Sequence, residues 1–320
     1  MNKTAVLIPC YNEAPTITKV VRDFQRALPE ATIYVYDNNS TDGTADIASK
    51  AGAVVRYVRQ QGKGHVVRRM FLEIDAECYI MADGDDTYPA DEAPKLLAPI
   101  LAHEADMVVG DRLSSSYFSE NKRLFHGFGN CLVRKSINNL FHTNIMDIMT
   151  GYRAFSYDFA KTFPILSNGF EIETEMSIHA ADKRLATVSI PVTYKDRAEG
   201  SISKLNTYKD GCRVLMTIAK LYCMYKPLPF FSTIAVISGG TAIGFFIPVF
   251  HTYITSGLVP NFPTLIVCCF TLVTAIIAFF SGLMLHVLSR KSKQDFEMQL
   301  HQVHIQKLLT YQAADLRQTR

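Results

Sequence analysis

The chain has 320 residues, 48% apolar and 20% charged, a length that allows two domains and a composition compatible with a folded core. Its 33 Lys and Arg against 30 Asp and Glu leave a formal net charge of +3, too small to imply nucleic-acid binding. Seven cysteines, Cys10, Cys78, Cys131, Cys212, Cys223, Cys268 and Cys269, show no metal-ligand spacing and read as scattered thiols of a reducing compartment.

Short apolar, β-branched runs at Ala5–Ile8, Thr32–Tyr36, Ala53–Val58, Cys78–Ala82 and Met107–Val109 alternate with helical patterns at Thr16–Ala27, Thr44–Ala51, His65–Asp75 and Pro94–His103. The alternation predicts an α/β domain with a parallel, doubly wound sheet. Pro15 suits a first helical turn and Gly52 a helical stop. Pro9 and Cys10 interrupt the first apolar run, so no cleaved signal is expected. After Gly110 the alternation weakens through the polar stretch Asp111–Arg123 and resumes in a last strand, Thr187–Val192.

Lys204–Lys226 mixes basic residues with Val214, Leu215, Ile218, Leu221 and Tyr222 at helical spacing, and reads either as an interfacial amphipathic helix or as an ordinary packed one. From Pro227 to Ser289 no Asp, Glu, Lys or Arg occurs. Within that window Phe230–Ile254 and Phe262–Leu288 each exceed the roughly 20 residues needed to cross a bilayer core. Lys220, Lys226, Arg290, Lys291 and Lys293 flank the pair, which places both ends of this hairpin, and the domain before it, in the cytoplasm. The expected organisation is a cytoplasmic α/β domain over 1–203, an interfacial region over 204–228, a membrane hairpin over 229–289 and a cytoplasmic helical tail over 290–320. Gly240 and Gly244 form a small-xxx-small pair that permits close helix approach, or are simply two glycines tolerated in a membrane helix. Phe296, Leu300 and Val303 give the tail a short apolar stripe that suits an association helix.

In doubly wound sheets ligands collect at the carboxyl ends of the strands. Three of these ends carry unusual polar sequences: PCYNE at Pro9–Glu13, DNNSTDGT at Asp37–Thr44 and DGDD at Asp83–Asp86. Asp83 and Asp85 can both turn toward one hard cation, Mg2+ or Mn2+, once Gly84 relaxes the backbone; an acidic turn before a helix is the plainer reading. Asp37 is placed to accept hydrogen bonds from a base or ribose, and Asp42-Gly43 makes a turn beside it. Lys63, between Gly62 and Gly64, suits a diphosphate met by backbone amides and one ammonium. Arg112, Arg153, Arg197 and Lys204 are cations available to a lipid phosphate, or to ordinary salt bridges. Glu171, Glu173 and Glu175 alternate in an EIETE run, which offers carboxylates to the hydroxyls of a ligand or lines a solvated face.

In this order the motifs resemble family 2 glycosyltransferases with a nucleotide-diphospho-sugar (GT-A-like) fold, over roughly Val6–Lys204. IPCYNE is similar to the family's opening strand and loop, YDNNSTDGT to its nucleotide-binding aspartates, GKG to its third-strand loop and ADGDD to its metal motif. MDIMTGYRAF (Met146–Phe155), GFEIETEM (Gly169–Met176) and IPVTYKDRAEGSISKL (Ile190–Leu205) resemble segments of polyprenyl-phosphate sugar synthases, relatives of dolichyl-phosphate mannose synthase, in their bacterial branch with two membrane helices. Where relatives read Arg-x-x-Gly-x-Ser-Lys, this loop is one residue longer, which leaves Ser201 and Ser203 competing for the serine's place. Thr87 stands where some relatives have Gln, and the absence of Trp removes the Gln-x-x-Arg-Trp signature of processive synthases.

The resemblance implies transfer of one hexose from a nucleotide-diphospho-sugar to polyprenyl (undecaprenyl) phosphate with inversion, UDP-glucose or UDP-GlcNAc being preferred as donor. GDP-mannose-dependent mannosyl transfer and an idle membrane scaffold are the alternatives. It implies a donor site of Pro9, Tyr11, Glu13, Asp37, Asn39, Asp42, Lys63, Asp83 and Gly84, a metal on Asp83 and Asp85, and an acceptor-phosphate site of Arg112, Arg153, Arg197, Ser203 and Lys204. Asp85, Arg197 and Lys204 carry the catalytic roles, and a homotetramer fits the membrane branch.

Overall fold

The structure, a computed structural model of the protein, describes residues 2–114, 134–169, 171–195 and 222–318. The chain divides into two units, Met1–Asp210 together with Phe296–Arg320, and Gly211–Asp295.

In the first unit the elements are β1 (Asn2–Cys10), α1 (Ile17–Ala27), β2 (Thr32–Asp37), α2 (Thr44–Lys50), β3 (Val54–Tyr57), α3 (Lys63–Glu73), β4 (Ala76–Met81), α4 (Ala93–Leu101), β5 (Met107–Asp111), β6 (Arg153–Ser156), α5 (Tyr157–Thr162), α6 (Ile172–Asp182) and β7 (Thr187–Pro191). The strands form one sheet in the order β3-β2-β1-β4-β6-β5-β7. In β1 Ala5, Val6, Leu7 and Ile8 are all fully buried, the unbroken apolar run that a central strand covered on both faces requires. Helix α1 buries Ile17, Val20, Val21 and Phe24, and α4 buries Ala93, Leu96, Leu97 and Ile100, both at the i, i+3, i+4, i+7 spacing of a single helical face. The two helices share a core with Val6, Ile8, Val35, Ile80 and Val108 of the sheet.

The sheet is mixed, a correction to the parallel sheet expected from the alternation. β6 runs antiparallel to β4, with Met81 opposite Arg153, and to β5, with Val109 opposite Arg153. Chain leaving the carboxyl end of β5 re-enters the sheet from that same end, so residues 147–152 are delivered to the edge where β4 finishes. Four residues beginning with an arginine and lacking any β-branched side chain gave no strand signal.

The second unit contains α7 (Pro227–Ser256) and most of α8 (Phe262–Gln318). Both helices are long and apolar enough to cross a membrane, and they mark the protein as membrane-associated. Their hydroxyls donate to carbonyls one turn back, as in Thr241 to Ile237, Thr252 to Pro248, Thr271 to Val267 and Thr274 to Phe270, so these polar groups are met within their own helix. The helices approach at Gly282, where a Cβ would stand 2.7 Å from that of Phe231, and at Gly239 beside Ala275. Gly240 and Gly244 face open space, so the small-xxx-small pair read from the sequence is not the contact. Helix α8 runs without interruption from its apolar stretch into the tail. Most of the expected interfacial segment, 204–221, lies outside the described residues.

Candidate active site

Because β2, β1 and β4 are parallel neighbours, their carboxyl ends open onto one edge of the sheet. Pro9 lies opposite Tyr36 and Cys10 closes the β1 ladder opposite Asp37; the chain then turns at Asn12 with a φ of 56°, leaving Tyr11 52% exposed. This loop is stitched to the one after β2. The amide of Asn12 donates to Ser40 Oγ at 2.9 Å, that of Glu13 to Thr44 Oγ1 at 2.9 Å, and that of Ala14 to Asp42 Oδ2 at 3.0 Å. Asp42 Oδ1 also accepts from the amide and hydroxyl of Thr44, which fixes the entry to α2.

Asp37 ends β2 at 3% exposure. Its Oδ2 accepts from the Ser40 amide at 3.1 Å, while its Oδ1 is buried and, among the described residues, meets no donor. A buried carboxylate oxygen without a donor is costly, and a water, an ion or a ligand donor would complete its bonding. Asn39, at a φ of 65°, donates to Arg59 O and Gln61 Oε1; Asn38 donates to Val58 O and Gln60 O and accepts from the Gly62 amide at 2.7 Å.

Lys63 opens α3, and its ammonium stands 2.6 Å from Asp83 Oδ1 and 2.6 Å from Glu173 Oε1. The Lys63 side chain is 9% exposed and that of Glu173 6%. Burial works against the charge, but the two carboxylates more than offset it and hold the ammonium above the ordinary lysine range. The flanking glycines do a different job from the amide cradle expected of them. The Gly64 amide donates to Asn168 O, and a Cβ at Gly62 or Gly64 would fall 2.1 Å from Asn168 O or 1.9 Å from Ser167 O. Glycine is required here because another stretch of backbone lies against the loop.

At the end of β4, Asp83 Oδ2 lies 2.6 Å from the position that a Cβ on Gly151 would take. Gly84 is packed against Cys10, whose Sγ would be 2.7 Å from a Cβ there. Asp85 Oδ1 accepts from the amide and hydroxyl of Thr87 at 3.3 and 2.6 Å, which aims that carboxylate. Asp86, at a φ of 57°, pairs with Lys19 at 2.6 Å. Among the described residues no group of three or more His, Cys, Asp or Glu is gathered to hold a metal. The hard carboxylates of Asp83 and Asp85 nonetheless fit Mg2+ or Mn2+, ions that take few protein ligands and complete their shells with substrate phosphates and water.

One of the acceptor-phosphate residues is corrected. Arg153 is fully buried, donating to Thr150 O at 3.0 Å, Ile148 O at 2.6 Å and Ser177 Oγ at 3.0 Å, and burial lowers its pKa to about 10. It is an internal clamp on the 147–151 turn and has no surface for a ligand. Arg112 makes a bidentate pair with fully buried Asp147, at 2.7 and 3.1 Å, and lies over the Tyr194 ring. Arg197, Ser203 and Lys204 lie outside the described residues.

Of the glutamates in EIETE, Glu173 joins the site through Lys63, whereas Glu175 accepts from the amides of Leu166 and Ser167. Gly151 and Tyr88, whose hydroxyl accepts from the Gly151 amide at 3.0 Å, also belong to the site and carried no chemistry that could be read from the sequence.

Residues 5–163 match the family described as Glycosyl transferase family 2. Glycosyltransferase AglJ of Haloferax volcanii is 34% identical over 254 residues, 79% of this chain and 83% of that one. A dolichyl-phosphate hexose transferase of the same organism is 28% identical over 224 residues, 70% of this chain and 95% of its own. Among solved structures, glucosyl-3-phosphoglycerate synthase from Mycobacterium tuberculosis, in complex with Mn2+, UDP and glucosyl-3-phosphoglycerate, superposes with a TM-score of 0.54 over 69% of this chain and 79% of that one. At 20% identity this likeness shows the fold.

Proposed function

The chain belongs to glycosyl transferase family 2, and from that premise we propose that it moves one hexose from a nucleotide-diphosphate sugar to polyprenyl (undecaprenyl) phosphate at a membrane surface. UDP-glucose or UDP-GlcNAc is the donor of this reading, in line with the UDP held by the structural relative. The lipid acceptor accords with the name of the dolichyl-phosphate hexose transferase and with the two membrane-length helices. One observation carries the proposal: Lys63, Asp83 and the unpartnered Asp37 oxygen share one sheet edge in a chain with an apolar hairpin.

In this mechanism Asp37 accepts from the base or ribose, and the stitched loops after β1 and β2 shape the pocket around Pro9, Tyr11, Glu13, Asn39 and Asp42. Mg2+ or Mn2+ held by Asp83 and Asp85 would neutralise charge on the departing diphosphate. Lys63 adds its ammonium from the side, and Glu173 keeps that ammonium at hand. The attacking lipid phosphate is already substantially ionised near neutral pH, so positioning it is the main catalytic demand. Arg197, Ser203 and Lys204 would hold it. In-line attack inverts the anomeric centre and gives a β-linked lipid from an α-linked donor. By the positive-inside rule the catalytic unit and both chain ends face the cytoplasm.

Purified protein in detergent with Mn2+, undecaprenyl phosphate and a panel of UDP- and GDP-sugars tests the reading by mass spectrometry. It predicts one sugar residue added to the lipid phosphate from a UDP-sugar, a hexose mass from UDP-glucose or an N-acetylhexosamine mass from UDP-GlcNAc. Product only with GDP-mannose would replace the donor, and no lipid product with any donor would overturn the acceptor.

A further inference from the structure

Helix α6 is buried from Ile172 to Asp182 with the exception of two positions in its first turns, and its two ends face different partners. At the first turn Glu173 grips Lys63 at 2.6 Å. At the last turns His179 sits in a cage of rings, 5.8 Å from Phe159, 5.0 Å from Phe163 and 5.4 Å from Phe296, centroid to centroid. Phe296 belongs to the tail part of α8 and is 5% exposed, with the Lys183 ammonium 5.5 Å from its ring centroid. Further along the same helix, His304 Nδ1 is 4.0 Å from Asp158 Oδ2 and Lys307 lies over the Tyr157 ring at 5.6 Å. The tail that suggested an association helix therefore packs through Phe296, His304 and Lys307 against α5 and α6 of its own chain.

We propose that Phe296 is a positioning residue for the donor site: by clamping the end of α6 it holds Glu173, and through Glu173 the Lys63 ammonium, in register with Asp83. The inference rests on the glycosyl-transfer reading for its kinetic consequence but on contacts alone for its structural one. Glu173 and His179 are six residues apart, roughly 9 Å along one rigid helix, so tilting one end displaces the other. Ser177 ties the middle of the helix to Arg153, whose other bonds hold the turn that carries Gly151 against Asp83. A packed helix with partners at both ends and its middle has little freedom to absorb the loss of one of them.

The test compares amide exchange in the full-length protein in detergent for wild type, Phe296→Ala, Phe296→Leu and Ile305→Ala, the last at a 55% exposed position of the same helix. Phe296→Ala is expected to accelerate exchange at residues 171–183 and at 62–66, with recovery in Phe296→Leu and no change in Ile305→Ala. Acceleration confined to 296–309, with 62–66 unchanged, would overturn the proposal. Should Phe296→Ala fail to fold, Lys307→Ala loosens the same dock from its margin and carries the comparison. In the transfer assay Phe296→Ala should raise the donor KM about 5-fold with kcat nearly constant. An equal fall of kcat with KM unmoved would count against positioning. If wild type transfers no sugar, the functional reading fails, and the exchange result still decides this one.

Discussion

Lys63 is the point where the first unit's electrostatics converge, since its removal leaves Asp83 and Glu173 facing each other without a cation. Breaking a buried pair by deleting one partner typically costs about 3 kcal/mol. Lys63→Ala should therefore lower the melting temperature as well as donor binding; an unchanged melting temperature would mean that the pair is solvated in solution. Gly151 makes a sharper test of geometry. Its missing Cβ leaves room for the Asp83 carboxylate, which can rotate away, so Gly151→Ala should keep its fold yet lose about 100-fold in transfer rate through misplacement of that carboxylate. A folded Gly151→Ala with the wild-type rate would refute the role given to Asp83. At this scale the sequence revealed the chemistry-bearing types, Asp37, Lys63, Asp83 and Asp85, because charged residues at strand ends have few bland explanations. It concealed Arg153, because only the three-dimensional path shows whether an arginine faces a ligand or the chain's own carbonyls.

Among the elements, α1 to α4 and the strands between them follow the expected pattern because each has a clear apolar face or run. β6 showed no pattern, and α6 showed only through the likeness of GFEIETEM to an acidic helix of the relatives, for physical reasons. β6 is four residues long, and α6 is buried on nearly every side, so neither shows the periodicity that a half-buried element displays. The burial of α6 has a measurable consequence at His179, whose pKa is lowered from 6.5 to about 4 by desolvation first and by Lys183 second, with Asp182 opposing. The unfolded chain then binds more protons than the folded one between pH 6.5 and 4, so stability is complete above pH 6.5 and falls as the pH drops through that window. The slope approaches about 1.4 kcal/mol per pH unit. His179→Phe should flatten the wild-type loss in thermal unfolding across this range; identical slopes would show that other groups carry it. The hairpin teaches a similar lesson. Apolar length was legible, but which glycines meet the partner helix depends on rotation about the helix axis, and Gly239 and Gly282 serve where Gly240 and Gly244 do not.

For the whole molecule, a sheet edge bearing Asp37, Lys63 and Asp83 and an apolar hairpin belong to one continuous chain, the pairing on which the proposed lipid acceptor rests. The order of motifs along 200 residues carried that inference further than any single one. The docking of the tail on α5 and α6 was hidden, since three apolar residues at helical spacing do not say which surface they meet. The central claim is that sugar transfer occurs at the carboxyl end of β4, and the most direct measurement is the rate at which Asp85→Asn transfers hexose to undecaprenyl phosphate beside wild type. Asn retains the size of Asp85 and an acceptor for Thr87 while removing the charge. The account predicts a folded protein with wild-type thermal stability and a rate lower by about 100-fold or more. A variant that transfers sugar at the wild-type rate would contradict it.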